Sequence, residues 1–352
     1  MGFAEEDRVN ARLKASPTGQ LNNLAGLDDT LYFAHLDQVW TVSGASAAKG
    51  GEGDDVDAKG RPIARCSRIC DMVSGSDRML VRQIAPVSLY SGQSYIALAT
   101  SIGVEVFDGS GRTLILHWNL PADDRPRDHT LAPTATCVAW ASGPDGAVHL
   151  CVGTAGGRIH VFVLDSFGRI SHADTMYTPD FEPVSCIGSH MSARRGGDAA
   201  FGERPVLVVG TYEGTSVLYQ ATGPGEYDVI RQVREGAPVV GCAAWGDFAV
   251  VGAQNGTVAL HSISRGITLG TYRAHSRMMS CLALHPTKGL IATGAEDATV
   301  AVWELPTSSA EIRMPLSACW QSSVVTGVAF RGDDLAVVPY DHEEIALYKH
   351  QP

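Results

Sequence analysis

Long apolar runs and an excess of basic residues are both missing from this chain of 352 residues. No stretch approaches the roughly 18 apolar residues of a membrane-spanning helix, and residues 1–14 lack the apolar centre of a secretory signal peptide. Lysine and arginine number 27 against 38 acids, a net charge of −11, which argues against nucleic acid as the main partner. We therefore expect a cytoplasmic protein without membrane insertion, with a cilium or a vesicle as alternative locations.

Patterns typical of catalytic and metal sites are also missing. The twelve histidines are scattered, with no pair at metal-ligand spacing. Cys66 and Cys70 are four residues apart beside arginines, but no second pair accompanies them. Gly153–Gly157 leads into a strand rather than a helix, so it is a hairpin and not a phosphate loop. We expect no catalytic, cofactor-binding or metal-binding residue, and no cofactor.

What the chain does contain is a repeated hairpin. Four segments place a glycine nine residues before a large side chain: Gly153 before Phe162, Gly210 before Tyr219, Gly252 before His261 and Gly294 before Trp303. Between them stand pairs such as Asn255–Gly256, which suit a two-residue hairpin turn with positive φ angles. Looser copies place their last large side chain at residues 42, 107 and 348. The chain therefore contains seven copies.

One copy, residues 272–305, resembles a complete WD-repeat unit, with Trp303–Glu304 where that family has Trp-Asp. Successive copies are 42 to 65 residues apart, and a bare four-stranded blade needs about 40–45. We predict an all-β, seven-bladed WD-repeat β-propeller over residues 1–352, with four antiparallel strands per blade. We also predict a disordered loop at 43–60 and polar insertions at 122–134 and 189–205.

The last blade has only three strands of its own, which would leave an exposed edge. We predict that the N-terminal strand closes the ring, with part of residues 5–20 pairing with Glu344–Tyr348.

Cysteines recur on the predicted first strands. Cys137, Cys186, Cys242 and Cys281 occupy what looks like one position of the repeat, and Gly327 a fifth copy of it. A small apolar residue at such a position indicates packing between blades. Because different blades would hold these thiols far apart, we expect neither disulfides nor a zinc site.

Segments 21–34, 102–118, 151–165, 250–284 and 294–305 resemble the WD repeat-containing protein 54 family. Its features include Asn22–Asn23–Leu24 before the first strand, the strand Gly103–Phe107, the turn Ser110–Gly111 and then His117–Trp118. This resemblance implies a non-enzymatic interaction protein.

The WD-repeat resemblance also implies a buried hydrogen-bond chain in the sixth blade. Its members here are His275, Thr293, Asp297 and Trp303, which at first look like a catalytic triad. A structural role is favoured, because each of these polar groups would cost about 1–3 kcal/mol if buried alone.

Loops before first strands and hairpins between second and third strands project from one face of a propeller. Aromatic, arginine and methionine side chains dominate binding there, and the candidates are Phe181, Tyr212, Arg277, Met278, Trp320 and Tyr340. Their acidic neighbours, including Glu213, Glu296 and Glu343, favour a basic or mixed peptide. We predict a non-enzymatic scaffold for protein or peptide partners. The alternatives are a fixed subunit of a larger assembly, such as a ciliary one, and an enzyme that uses the axial channel.

Overall fold

The computed structural model describes residues 2–13, 22–43, 65–71, 79–127, 132–189, 205–306, 317–340 and 342–351. Within them the chain forms 28 β-strands and two three-residue 3₁₀ helices, Pro144–Gly146 and Pro179–Phe181. The strands up to residue 177 are β1 (Gly2–Arg12), β2 (Leu24–Leu27), β3 (Thr30–His35), β4 (Gln38–Ser43), β5 (Arg65–Ile69), β6 (Val81–Ser88), β7 (Ser94–Thr100), β8 (Gly103–Asp108), β9 (Leu114–Asn119), β10 (Ala135–Ser142), β11 (Val148–Thr154), β12 (Arg158–Leu164) and β13 (Ile170–Tyr177).

The remaining strands follow at shorter intervals. They are β14 (Val184–Ser189), β15 (Val206–Thr211), β16 (Thr215–Gly223), β17 (Glu226–Arg234), β18 (Val239–Trp245), β19 (Phe248–Ala253), β20 (Thr257–Ser262), β21 (Ile267–Arg273), β22 (Met279–Leu284), β23 (Leu290–Ala295), β24 (Thr299–Glu304), β25 (Ser317–Trp320), β26 (Val325–Arg331), β27 (Asp334–Pro339) and β28 (Glu344–Gln351).

These strands form seven four-stranded antiparallel sheets, one for each blade. Blade 1 is β2–β5, and each following set of four strands forms the next blade up to β22–β25, which is blade 6. All seven positions chosen from the sequence as blade ends lie on third strands. The predicted seven-bladed propeller is confirmed.

Blade 7 is completed by the N-terminus. It contains β26, β27, β28 and then β1, which pairs antiparallel with β28 from Gly2↔Gln351 to Arg12↔Glu344. The predicted closure by an N-terminal strand is confirmed, although the strand begins before the predicted segment and ends at Arg12. Pairing with β1 covers the edge that β28 would otherwise expose.

The hydrophobic core is divided among the seven junctions between blades. The described residues contain seven clusters of buried apolar side chains, and each cluster joins two neighbouring blades, including blade 7 with blade 1. A blade cannot bury both of its faces alone, so the ring is stabilised as a whole.

The recurring glycine on the second strands of blades 3, 4 and 6 makes room at these junctions. A Cβ atom on Gly153 would lie 2.5 Å from Val184 Cγ1 of the next blade and 2.6 Å from Cys137 Sγ. Gly210 and Gly294 have equivalent neighbours. The repeated glycine and cysteine are therefore one packing unit.

Cys242 does not share the position of the other repeated cysteines. Gly241 pairs with Gly252 as Cys186 pairs with Gly210, so Cys242 lies one residue further along its strand. A shift of one residue turns a side chain to the other face of a sheet. The Sγ atoms of Cys186 and Cys242 consequently lie 3.5 Å apart, and the expectation that thiols of different blades are far apart is wrong for this pair. Burial raises the pKa of the Cys242 thiol well above its ordinary value.

The hairpins between second and third strands differ from the predicted two-residue turns. Three residues separate β11 from β12 and β23 from β24, and only the last residue of each is left-handed, with φ of 75° at Gly157 and 60° at Ala298. A three-residue loop with a final left-handed residue also matches the right-handed twist of a hairpin.

Three predictions from the sequence concern loops. Residues 44–60 and 190–204 lie outside the described residues. The segment 122–134 is described except for 128–131, and Asp124 within it is fully buried.

Candidate functional site

The four predicted members of the hydrogen-bond chain meet in blade 6. Trp303 Nε1 donates to Thr293 Oγ1 at 3.3 Å, and Thr293 Oγ1 lies 2.9 Å from His275 Nε2. His275 Nδ1 lies 3.2 Å from Asp297 Oδ1. Because a carboxylate only accepts, Nδ1 carries the imidazole proton and Nε2 accepts from the Thr293 hydroxyl. Asp297 Oδ2 also accepts from the backbone N–H of Ser276 at 2.8 Å.

The burial of this hydrogen-bond chain determines whether its side chains can act on a substrate. Thr293 is fully buried and His275 is 2% exposed, so a substrate has no route to the hydroxyl. Burial lowers the pKa of His275, although the charge of Asp297 opposes this shift. The arrangement connects the turn before β22 to the hairpin between β23 and β24. Its role is structural, because it links these two segments by buried hydrogen bonds.

A second buried hydrogen-bond network, which sequence reasoning missed, lies in blade 3. Asp124 precedes β10 and has no exposed surface. It accepts from the Thr154 hydroxyl at 2.9 Å, and its other oxygen lies 2.8 Å from His160 Nε2. Blade 3 therefore places the acid in the loop and the histidine on the third strand.

Blades 4 and 5 also hold an acid before their first strands. Glu182 is fully buried and accepts from the Thr211 hydroxyl at 2.6 Å. Glu235 Oε1 lies 3.0 Å from His261 Nε2. These carboxylates stand where blade 6 has His275, so a search for histidine in the loop does not find them.

The six predicted partner-binding residues all belong to loops or strand ends at one end of the ring. We call this end the upper face; it contains loop 178–183 and hairpin 212–214, and the opposite end is the lower face. Phe181, Tyr212 and Tyr340 are 50%, 54% and 52% exposed, Arg277 is exposed, Met278 is half-buried, and Trp320 ends β25.

Tyr177, at the end of blade 3, and Phe181 and Tyr212, before and within blade 4, lie around loop 178–183. Tyr212 N donates to the carbonyl oxygen of Pro183 at 2.9 Å, which holds its hairpin against the loop that carries Phe181. The Phe181 ring contacts Tyr177 edge-on at 5.5 Å between ring centroids, and Tyr177 is 51% exposed. Tyr177 was not predicted.

The other predicted residues lie further round the ring. Arg277 and Met278 precede blade 6, and Gln254 Nε2 lies 2.9 Å from Met278 Sδ, so Met278 is partly engaged within the protein. Tyr340 follows β27 in blade 7, three blades from Tyr212. The structure therefore does not gather the six residues into one patch.

A cavity of about 530 Å³ opens on the upper face where the first strands of blades 2 to 5 begin. Tyr212 is the one predicted residue in its lining. The described lining residues are Asn22, Arg82, Gln83, Pro126, Ala132, Thr134, Thr136, Ala155, Ser185, Cys186, Tyr212, Val239 and Val240.

A repeated β-bulge explains which side chains reach this cavity. The pairing of first with second strands shifts between the first and third residues of β6, β10, β14 and β18. The residue between them is unpaired, and a bulge re-aims its side chain. Those residues are Arg82, Thr136, Ser185 and Val240, and all four line the cavity. In blades 3, 4 and 5 the bulge residue stands just before the repeated small residue, whereas in blade 2 it stands before Gln83.

Asn22 bridges the other side of the axis. Its backbone N–H donates to Thr326 O at 3.0 Å, and Nδ2 donates to Val240 O at 3.4 Å. Its Oδ1 accepts from the backbone N–H of Leu282 at 3.3 Å. Asn22, which has φ of 56°, thus connects blades 5, 6 and 7 and bounds the cavity on that side.

The charge of the cavity is unlike that of the protein. Arg82 is the single charged residue among the described lining residues, and it is exposed. Within the described part of the chain, no group of three or more histidine, cysteine or acidic residues could hold a metal ion. No described helix is long and apolar enough to cross a bilayer.

No protein-family model matches the chain, and no curated protein sequence matches it. Solved structures do. A chain of a mitotic checkpoint complex matches with a TM-score of 0.67 and 14% identity, covering 99% of this chain and 93% of that one. A chain from a crystal structure of BBS1N in complex with ARL6DN matches with a TM-score of 0.64 and 14% identity, covering 97% and 95%.

Chaetomium thermophilum Raptor matches with a TM-score of 0.64 and 12% identity over 99% of this chain but 30% of its own. At these identities the likeness concerns the fold alone. The chain is a seven-bladed β-propeller.

Proposed function

We propose that this protein is a non-enzymatic interaction scaffold that binds a protein segment on its upper face, at the axial cavity and the aromatic residues of blade 4. The observation that carries the proposal is the position of Tyr212, which lines the cavity and is still 54% exposed. Exposed aromatic side chains beside a cavity bury a large area on binding for little loss of conformational entropy.

The residues of the cavity favour binding over catalysis. None of its described lining residues is an acid or a histidine, so the usual partners for general acid–base catalysis are not among them. The junctions between the blades around it, from blade 2 to blade 5, are packed with buried apolar side chains. Tyr212 and Phe181 are the predicted residues best placed to bind, and Arg277, Met278, Trp320 and Tyr340 would contact a longer segment.

The experiment is a comparison of co-purifying proteins. The double variant Tyr212→Ala, Phe181→Ser removes the two exposed rings of blade 4. A matched control is Phe167→Ala, because Phe167 is 80% exposed in the loop between β12 and β13 on the lower face. We expect the double variant to lose partners that the control retains. Loss in the control alone would place the binding site on the lower face.

A fixed subunit of a larger assembly is the second candidate, because two of the similar structures are those of complexes. The two candidates differ in stoichiometry and exchange. An adaptor should exchange with added free protein during purification, whereas a fixed subunit should stay in a constant ratio to its neighbours.

The proposal also includes a cytoplasmic location and membership of a specific protein family. All eight cysteines are free and buried, which suits the reducing cytoplasm. Kinship with the WD repeat-containing protein 54 family rests on the quoted segments. A structure of a member of that family tests it: we expect an asparagine that bridges the axis as Asn22 does here.

A further inference from the structure

We propose that the axial cavity is a carboxylate-binding site, in which Arg82 receives an aspartate or glutamate side chain from a partner segment whose flanking residues are basic. This inference rests on the proposed function, which places a protein segment across the upper face. It adds the chemical identity of the residue that enters the cavity.

The first argument is the state of Arg82. Within the described part of the chain, the structure gives Arg82 no hydrogen bond and no ion pair, whereas Arg158, Arg169 and Arg234 each contact a carboxylate within 3.0 Å. The bulge in β6 directs this unpaired guanidinium into the cavity. A planar guanidinium presents paired donors that match the two oxygens of a carboxylate.

The second argument is the remainder of the lining. Gln83 Oε1 accepts from the backbone N–H of Val138 at 2.9 Å, and Thr136 donates to Gly153 O at 3.1 Å, so these side chains are already held in place. Tyr212 offers a hydroxyl donor to the cavity. More than half of the Tyr212 surface is exposed, yet burial around the hydroxyl raises its pKa, while the charge of Arg82 opposes the shift. The phenol therefore stays protonated at neutral pH.

The third argument is the contrast between cavity and rim. The chain has a net charge of −11, and the described acids of the upper face include Glu213, Glu296 and Glu343. Arg127 lies 3.9 Å from Glu213, and the carboxylates of Glu296 and Glu343 add negative charge to the same face. A purely acidic segment would be repelled by this rim, but an acidic residue between basic ones would match both regions.

A single carboxylate fits better than a phosphate group. Arg82 supplies one positive charge, and no second cation is among the described lining residues. A phosphorylated side chain carries about −1.5 to −2 charges at neutral pH, so part of its charge would be uncompensated there.

The test uses the full-length protein, immobilised, and four pools of synthetic peptides of the form Xaa3-Arg-Z-Arg-Xaa3. The central residue Z is glutamate, glutamine, phosphoserine or lysine. We expect wild-type protein to retain the glutamate pool about tenfold better than the glutamine pool, the difference of one hydrogen-bonded charge. Arg82→Gln should abolish this preference, and Arg82→Glu should transfer it to the lysine pool.

Arg112→Gln is the matched control, because Arg112 is exposed in the same blade but between β8 and β9 on the lower face. It should retain the wild-type preference, and all variants should melt as wild type does. A preference for phosphoserine over glutamate, or a glutamate preference that survives in Arg82→Gln, would overturn the carboxylate site.

Two further results separate this inference from the proposed function. Equal retention of the glutamate and glutamine pools, lost in Tyr212→Ala, would overturn the carboxylate site and leave the peptide-binding face in place. Failure of wild-type protein to retain any pool would count against both.

Discussion

In blade 6 and in blade 3, a histidine and an aspartate connect the preceding loop to the blade. The two residue types have exchanged positions between the two blades. In blade 6 the loop supplies His275 and the hairpin supplies Asp297. In blade 3 the loop supplies Asp124 and the third strand supplies His160. In both, a buried imidazole faces a carboxylate, and the surrounding hydroxyl groups complete the hydrogen bonds. What the fold requires is therefore a matched donor and acceptor at this junction, and not a fixed order of residue types.

The two blades also differ in how deeply the carboxylate is buried. The Asp124 side chain has no exposed surface, whereas 12% of the Asp297 side chain is exposed. An uncompensated group costs more where less water can reach it. Substitutions in blade 3 should therefore be more damaging than the equivalent ones in blade 6.

The largest effect is expected for Asp124→Ala. It removes the acceptor of both Thr154 and His160 in a site without water access. Breaking one side of a buried pair costs about 3–5 kcal/mol, so we expect the free energy of unfolding to fall by that amount. Chemical denaturation checks it. Asp123→Ala is the matched control, because the neighbouring Asp123 is 74% exposed and pairs with Arg158 at the surface. The control should stay within about 1 kcal/mol of wild type. Equal losses in Asp124→Ala and Asp123→Ala would contradict a stabilising role for the buried hydrogen bonds of Asp124.

Asp297→Ala should have the next largest effect, about 1–3 kcal/mol. It removes one partner of His275 Nδ1, which still has Thr299 Oγ1 at 3.0 Å, and the acceptor of the Ser276 backbone N–H. Asp297→Asn keeps the side-chain volume and one acceptor, so it should recover part of the loss. A loss for Asp297→Ala as large as that for Asp124→Ala would mean that burial does not separate the two blades.

The same comparison shows what the sequence could predict. The register of the hairpin between second and third strands fixes the spacing of nine residues between a glycine and a large side chain. This spacing therefore recurs in the sequence, and it allowed the third strands to be located. His275, Thr293, Asp297 and Trp303 follow a known spacing, and the structure brings them together.

Asp124 could not be found in this way. It lies eleven residues before β10 in the charged segment 122–134, and no local pattern distinguishes it from the exposed Asp123 beside it. Arg82 was missed for another reason. A bulge adds one residue to a strand, so strict alternation assigns its side chain to the wrong face. Loop length and bulges are set by tertiary contacts.

A smaller effect, of opposite sign, is expected for Ala298→Gly. Ala298 ends the blade 6 hairpin with φ of 60°, a conformation that strains a residue with a Cβ atom. Glycine should stabilise the protein by about 0.5–1 kcal/mol, after its greater freedom in the unfolded chain is subtracted. The matched change in blade 3 is Gly157→Ala, whose Cβ atom would lie 2.4 Å from the Phe181 carbonyl carbon. That variant should be destabilised, and a gain in thermal stability from both substitutions would contradict the strain at these hairpins.

The smallest effect concerns pH. Burial lowers the pKa of His275 in blade 6 and of His149 in blade 3. Below the ordinary histidine value of about 6.5, the unfolded chain takes up protons before the folded one, so stability falls as pH falls towards the folded-state pKa. His149 Nε2 accepts from the backbone N–H of Gly225 at 3.1 Å and would lose that bond on protonation, whereas Asp297 partly offsets the charge on His275. We therefore expect His149→Gln to reduce the loss of melting temperature between pH 7.5 and 5.5 more than His275→Gln does. Because the residues lie in different blades, their effects should add in the double variant. The reverse order would mean that Asp297 does not stabilise a charged imidazole in blade 6.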